Sequence, residues 1–598
     1  RLRIELSAHI LLRSFRPNSG RAPMLASVHR NLCRTALRVF GAMLVLFTCF
    51  MTPASSSSDK LDFPLAHAET ESNTPTLTTA IATWDNVELH DFVQHERPAI
   101  KRVLLPMLKA LPSSGGHFSH TTVFYVLHRV LLKRHGWFLK GLEPQGKAWN
   151  STSLEHVVIL AKLPTDLQKL LQQQLHSPGL RANDIMTLVL ITEHLVHQRT
   201  LGQLPTIYKT MGLNVSGSSP LGLVTDAVDT LFACFIAGFD SAKLNRVRLY
   251  TLRTRVHKVY PNWPHLRAFI HETMKYSLQS GSVAFTDAKR AVQEVAQRFG
   301  QWQDSECQDM KGALMKLEDR GTGRVRLADF YAKNIYGGKW QFRESIQYLR
   351  ELGALDESNP NNPRVVIPNY VTGISNCIAS SEYSAVCCLS ECELIRERVE
   401  GILQSPEAEP GMITAIVATL PSASILANRT LSPVMLHRLN GIAMNHGGKV
   451  PLYGRLFAQW LHHAYPRECP FPHVSGSTAP KLQRDFEHAK KSAKASLEVM
   501  RAHARRSAPN GTAQAESSSP VENVAWTYEE ELFVPPPMIA EQPTGFMEIH
   551  FAVIATFASI VAFGRALLRA GRAARQQVSM PCKTESKTVA NAFSTQLV

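Results

Sequence analysis

Glu318, Thr322 and Asp329 stand at positions 1, 5 and 12 of the stretch "EDRGTGRVRLAD", with Gly323 at position 6. That is the spacing at which a calcium-binding loop gathers oxygen ligands around a glycine turn. Val325 falls at position 8, where an aliphatic residue joins a short ladder, and Leu327 and Phe330 continue an apolar pattern beyond it. Before the loop, Met310, Ala313, Leu314 and Leu317 are spaced to bury one face of a helix. The outline therefore fits an EF-hand, but the ligand chemistry does not. Arg320 occupies position 3 and has no acceptor to offer an ion. Asp329 is one methylene shorter than the bidentate glutamate of position 12, and Glu318 replaces the short aspartate of position 1. The residues predict a retained helix–loop–strand shape, with calcium held at Glu318, Thr322 and Asp329 only as an alternative.

Such loops work in pairs, and a partner follows in "YLRELGALDESNPNNPRVVIPNY". Gly353 can cap the helix that ends near Leu352, and "RVVI" can pair with "RVRL", placing Val325 against the strand near Val365. The intervening "DESNPNNP" lacks a calcium register.

A second group invites a metal reading: His462, His463, Cys469 and His473 in "LHHAYPRECPFPH". Leu456, Phe457, Trp460, Leu461 and Ala464 mark the buried face of the preceding helix. Relative to that face His462 is expected to point to solvent, with His463 about 100° around the helix. Adjacent histidines so placed do not easily share an ion, and Cys469 serves equally as a disulfide partner. Cys307, Cys377, Cys387, Cys388, Cys392 and Cys469 suit an oxidising compartment and permit fifteen pairings, among which the sequence does not choose. Cys234, in the apolar run "TLFACFIAGF", reads as a buried free thiol. No nucleophile elbow, zinc-peptidase helix, phosphate-cradling glycine loop or dinucleotide fingerprint appears, and "HETMK" at His271 lacks a second histidine. No residue is nominated as a catalyst.

The elements expected to carry these groups are mainly helical. In "LRANDIMTLVLITEHLVHQRTLGQL", Ile185, Leu188, Ile191 and Leu195 share a face. Ser432 and Pro433 read as a helix start, and Gly447 and Gly448 as a stop. No internal repeat stands out. At 598 residues with 44% hydrophobic and 19% charged content, the chain has the composition of a folded protein. Its formal charge of +16 is assigned to surface and membrane flanks, since basic runs with interleaved aromatics are not evident; nucleic acid is not an expected partner.

The two ends imply a membrane topology. Residues 1–23 are set aside as upstream of Met24; Arg30, Arg34 and Arg38, the apolar run "VFGAMLVLFTCFM" and Ala54 make residues 24–54 a signal peptide. Residues 549–568 are long enough, at about 30 Å of helix, to span a bilayer. Arg565, Arg569, Arg572 and Arg575 then place a cytoplasmic tail at 569–598. Sequons at Asn150, Asn214, Asn428 and Asn510 all precede the span. Between the ends lie a linker (55–86), a helical domain (87–300), the EF-hand-like and cysteine-rich region (301–400), a small helical region (401–480) and a charged helix with little apolar face followed by a Ser/Pro-rich stalk (481–546), of which the stalk, about 507–543, is expected to have no packed core.

The segments "EDRGTGRVRLADFY", "YLRELGALDES", "NCIASSEYSAVCCLSECE" and "HGGKVPLYGRLFAQWLHHAYPRECPFPH" together resemble an uncharacterised family of unicellular algae and related protists, over roughly residues 92–477. The resemblance implies a large secretory or membrane protein with EF-hand-like regions, and no activity. The resulting expectation is a mainly α, single-pass type I membrane glycoprotein whose ectodomain holds a degenerate EF-hand-like pair and binds or scaffolds a protein or glycan. The alternatives are a luminal or extracellular calcium-binding protein and a metal- or redox-dependent enzyme around Cys469.

Overall fold

A computed structural model describes residues 76–534, apart from 83–86, 144–153, 244, 279–280, 338–339, 379–380, 382, 489–490 and 506–525, together with 559–566 and 568–569. The chain is mainly helical, with very short antiparallel ladders between helices.

One unit recurs: a helix, a turn, a strand of two or three residues, and a second helix. The first pair of units places the strand His117–Phe118 between Val87–Lys109 and His120–His135, and the strand Leu180–Arg181 between Thr165–His176 and Ala182–Leu201. The second pair centres on Ser218–Pro220 and Ser282–Ala284, and the third on Arg324–Arg326 and Arg364–Val366. The fourth centres on Glu407–Ala408 and Val450–Pro451. Within each pair the strands join antiparallel, opposing Phe118 to Leu180, Ser219 to Val283, Val325 to Val365, and Ala408 to Val450. All eight of these central residues are buried. The residue two places before each is glycine or proline: Gly116, Pro178, Gly217, Gly281, Gly323, Pro363, Pro406 and Gly448. A tight turn followed by one buried ladder position is thus what every unit shares, and little else in the sequence is.

Helix boundaries follow local chemistry. The Ser119 and Ser432 side chains cap their helices by accepting the Thr122 and Met435 amides. The helix Pro433–Asn445 starts and stops where Ser432, Gly447 and Gly448 predict, the two glycines taking φ of 64° and 93°. The helix Phe285–Met315 runs 31 residues, leaving the second pair and entering the third, so it ties two pairs into one framework.

The units close over three apolar cores. Residues 77–299 form most of one, with Ile185, Leu188 and Ile191 fully buried and Leu195 packed against it. Met310, Leu314, Val325, Phe330 and Val365 belong to the second, and Ile413, Leu439, Trp460 and Leu461 to the third. Cys234 lies in the first core as a free buried thiol, where burial pushes it up to about 12.

One expectation needs correction. The 481–546 segment is not one charged helix followed by a coreless stalk in its described parts. It makes two short helices, Gln483–His488 and Leu497–Arg505, and buries Phe486, Ala493 and Met500 in the second core. Its apolar residues are too sparse to give a visible periodic face; Phe486 lies 4.7 Å from the Tyr348 ring, while Leu497 and Val499 stay exposed. Residues 526–534 return across the molecule, where Val534 is fully buried and Phe533 stacks on Tyr125. The expected span falls mostly on other residues. Among the described residues no helix is long and apolar enough to cross a membrane. Residues 559–566 and 568–569 are helical but too short by themselves, and most of the expected 549–568 segment, like the 24–54 leader, lies outside the described residues.

Candidate functional site: the ion-type loop and the histidine group

The 318–329 loop has the predicted shape. Arg324, Val325 and Arg326 pair with Val366, Val365 and Arg364, so Val325 faces Val365 as its position in the loop requires. Gly323 takes φ of 71°, and a Cβ there would overlap the Pro466 carbonyl, so both the turn and the neighbouring segment demand glycine. Arg320 is one of the few non-glycine residues with positive φ, at 51°.

Its ligand positions are already occupied by protein. Both carboxylate oxygens of Glu318 are gripped by Arg467: Nε lies 2.8 Å and Nη2 2.7 Å from Oε2, and Nε 3.1 Å from Oε1. The Gly323 amide also donates to Glu318 Oε1 at 2.6 Å. This bidentate clamp sits where a cation would face the position-1 carboxylate, and bonding to Glu318 raises the Arg467 guanidinium above its ordinary value. The Thr322 hydroxyl donates to the Asp319 carbonyl at 2.7 Å, and Asp329 pairs with Arg326 at 2.7 Å. Asp319 has Arg364 at 3.3 Å, and Asp356 of the second loop has Arg324 at 2.6 Å. Burial works to raise the Asp356 carboxyl, but Arg324 and the Ser358 hydrogen bonds outweigh it and hold it below the usual range. Each acid of the loop therefore has an arginine, and no anionic cage is left to attract a divalent ion.

The other units are poorer still. Counted from their central residues as twelve-residue loops, none carries carboxylates at two of positions 1, 3, 5 and 12. Asp184, at position 12 of the second unit, accepts the Thr78 amide and hydroxyl at 3.1 and 3.0 Å. Asn369, at position 12 of the sixth, bonds the Gly353 and Phe471 carbonyls and accepts the Phe471 amide. In both units the residue at position 12 ties segments together.

The histidine group is also structural in its contacts. His462 is fully buried, contrary to the solvent-facing expectation, because residues 466–473 fold back over its helix face. Its Nδ1 lies 2.7 Å from the Cys469 carbonyl and its ring packs edge-on to Phe471. His463 packs against Trp526 of the returning segment. His473 contacts the Gly353 carbonyl at 2.7 Å, well placed to hold the second loop. Burial drives the His462 imidazole down to about 3 and His463 to about 2, keeping both neutral. Among the described residues no group of three or more His, Cys, Asp or Glu is placed to hold a metal ion.

The six candidate cysteines come together as Cys307–Cys388, Cys377–Cys387 and Cys392–Cys469. Cys469 thus has no thiol to offer a metal or a redox substrate. Asn214 and Asn428 are exposed, Asn428 at φ of 60°, whereas Asn150 and Asn510 lie outside the described residues. What the sequence reading missed is Arg467. It lies far along the chain from Glu318, and only its separate basic charge beside a turn could have hinted at the clamp.

No family model, no curated protein and no solved structure matches this chain, so the algal and protist resemblance rests on its quoted motifs alone.

Proposed function

We propose that this chain is a non-catalytic binding or scaffolding protein assembled from four pairs of degenerate EF-hand-like units. The observation that carries the reading is the Arg467 clamp on Glu318, an internal cation at the one loop whose sequence still approaches a calcium register. A loop neutralised in this way keeps its shape without an ion, which suits a framework rather than a sensor. The three cysteine pairs support residence in an oxidising compartment, the secretory lumen or cell exterior. A leader, a single span at 549–568 and glycans at the exposed Asn214 and Asn428 complete the reading as a type I membrane glycoprotein.

Calorimetric titration of the disulfide-bonded protein with calcium tests it. The expected result is no binding heat and no rise in melting temperature at millimolar ion. Saturable heat that is lost on Glu318→Gln would replace this reading with that of a calcium-binding protein.

A further inference from the structure

A cavity of about 490 Å³ lies where the three cores approach one another. Its walls come from several units. The helix His120–His135 contributes Leu132, the strand after it Phe138, and the third pair Ile374. The fourth pair and its trailing segment contribute Leu461 and Phe471, and the returning segment Phe533. Close-packed interiors carry few voids larger than a water molecule, whereas ligand pockets run from about 300 to 1,000 Å³. The wall formed by residues 387–392 is also fixed with unusual care. Cys387, Cys388 and Cys392 all line the cavity, and each belongs to a different disulfide.

The polar groups of the cavity narrow the class of ligand. Arg129 bonds Glu393 at 2.7 Å and Glu400 at 2.8 and 3.1 Å, Lys133 pairs with Glu397 at 2.5 Å, and Arg396 donates to the Tyr125 hydroxyl at 2.6 Å. These cations are satisfied by the protein, and burial raises the carboxyl of Glu143, which also lines the cavity, toward its neutral form. His128 is different. It lines the cavity edge-on to Phe138; its Nδ1 is occluded without a hydrogen-bond partner, so Nε2 is the ring nitrogen that a bound molecule reaches. Burial also holds this imidazole neutral, with its value lowered to about 4. An unpaired polar atom in an apolar wall is costly unless something completes it.

We propose that this cavity binds a neutral, largely apolar small molecule, on the order of twenty non-hydrogen atoms, that presents one hydroxyl or carbonyl to His128. The site is independent of the ion-type loop, so its test does not depend on the calcium experiment.

The intact, disulfide-bonded protein is titrated with the neutral dye N-phenyl-1-naphthylamine, followed by displacement with a long-chain primary alcohol and with the alkane of equal length. Saturable one-to-one fluorescence is expected, with the alcohol displacing the dye at least tenfold better than the alkane. Ile374→Trp fills the space and should weaken dye binding at least tenfold. His128→Phe should keep dye binding but abolish the preference for the alcohol over the alkane. A diazirine-bearing alcohol covers the case in which Ile374→Trp does not fold, and should label peptides from the walls around residues 369–374 or 458–472. Absence of saturable binding, equal displacement by alcohol and alkane in the native protein, full binding by a folded Ile374→Trp variant, or labelling confined to other peptides would each overturn the proposal.

Discussion

Glu318 and Arg467 show how a loop with the spacing of an ion site can hold its first carboxylate with a guanidinium. Glu318 is nearly fully buried and Arg467 only partly exposed, so removing the guanidinium strands a carboxylate in low dielectric. Arg467→Ala is expected to destabilise the protein by about 2–3 kcal/mol in chemical denaturation, more than an exposed ion pair would. The triple change Arg320→Asp, Asp329→Glu and Arg467→Gln supplies ligands and removes the internal cation, and calorimetry should then detect calcium at millimolar concentration. The buried histidines make a second prediction at this scale. His128, His197, His462 and His463 all have folded values below their ordinary 6.5, at about 4, 3, 3 and 2. Above pH 6.5 folded and unfolded chains both keep these rings neutral, and stability is fully present. As pH falls from 6.5 toward 4, the unfolded chain binds protons that the folded chain refuses, so stability is lost, by up to about 1.4 kcal/mol per pH unit for each ring. Denaturation midpoints measured across that window should fall steeply, and His462→Phe should make the slope shallower.

At the scale of the element, the repeating unit explains why short strands matter here. A ladder of two or three residues gives few hydrogen bonds, so each pair depends on its central buried residues and on the helices they orient. The long helix Phe285–Met315 couples adjacent pairs directly. The helix Leu497–Arg505 has only Met500 buried, yet that side chain joins the core of the third pair beside the helix Leu327–Ile335. Met500→Ala is expected to cost about 2–3 kcal/mol and Phe486→Ala about 3–4 kcal/mol, measured by equilibrium unfolding. Unchanged stability in both variants would mean that the 481–505 segment does not dock in solution. The unit itself was only partly legible. The pair containing Val325 and Val365 could be read because its loop still resembles a calcium loop and its partner strand repeats the same apolar pattern. The other three pairs retain one buried residue and one glycine or proline per turn, too little for a repeat to be seen by spacing.

For the whole molecule, two of the three disulfides close long segments, while Cys377–Cys387 reinforces the Ile378–Val386 bridge. Cys307–Cys388 and Cys392–Cys469 close segments of 81 and 77 residues, which in the chain-entropy account stabilises the fold by about 4.5 kcal/mol each. Peptide mapping without reductant should recover these two links and Cys377–Cys387, and full reduction should lower the melting temperature markedly. Recovery of any other pairing would contradict the arrangement of the 387–392 wall. Residues 526–534 add a non-covalent tie: Arg455, fully buried, donates to the Glu529 carbonyl and to the Thr527 hydroxyl, and its amide donates to the Glu531 carbonyl.

The sequence by itself determined the helical character, the caps at Ser432, Gly353 and Gly447, the buried thiol of Cys234, and the opposition of Val325 to Val365. All of these follow from local preferences or from one matched pair of patterns. Tertiary structure decided which cysteines meet, that Arg467 reaches Glu318, that His462 is covered, that the charged segment docks Phe486 and that the expected stalk buries Val534. Those outcomes depend on contacts between residues far apart in the chain. No local spacing encodes such contacts, because the same arginine or histidine is equally compatible with solvent until another segment arrives to cover it.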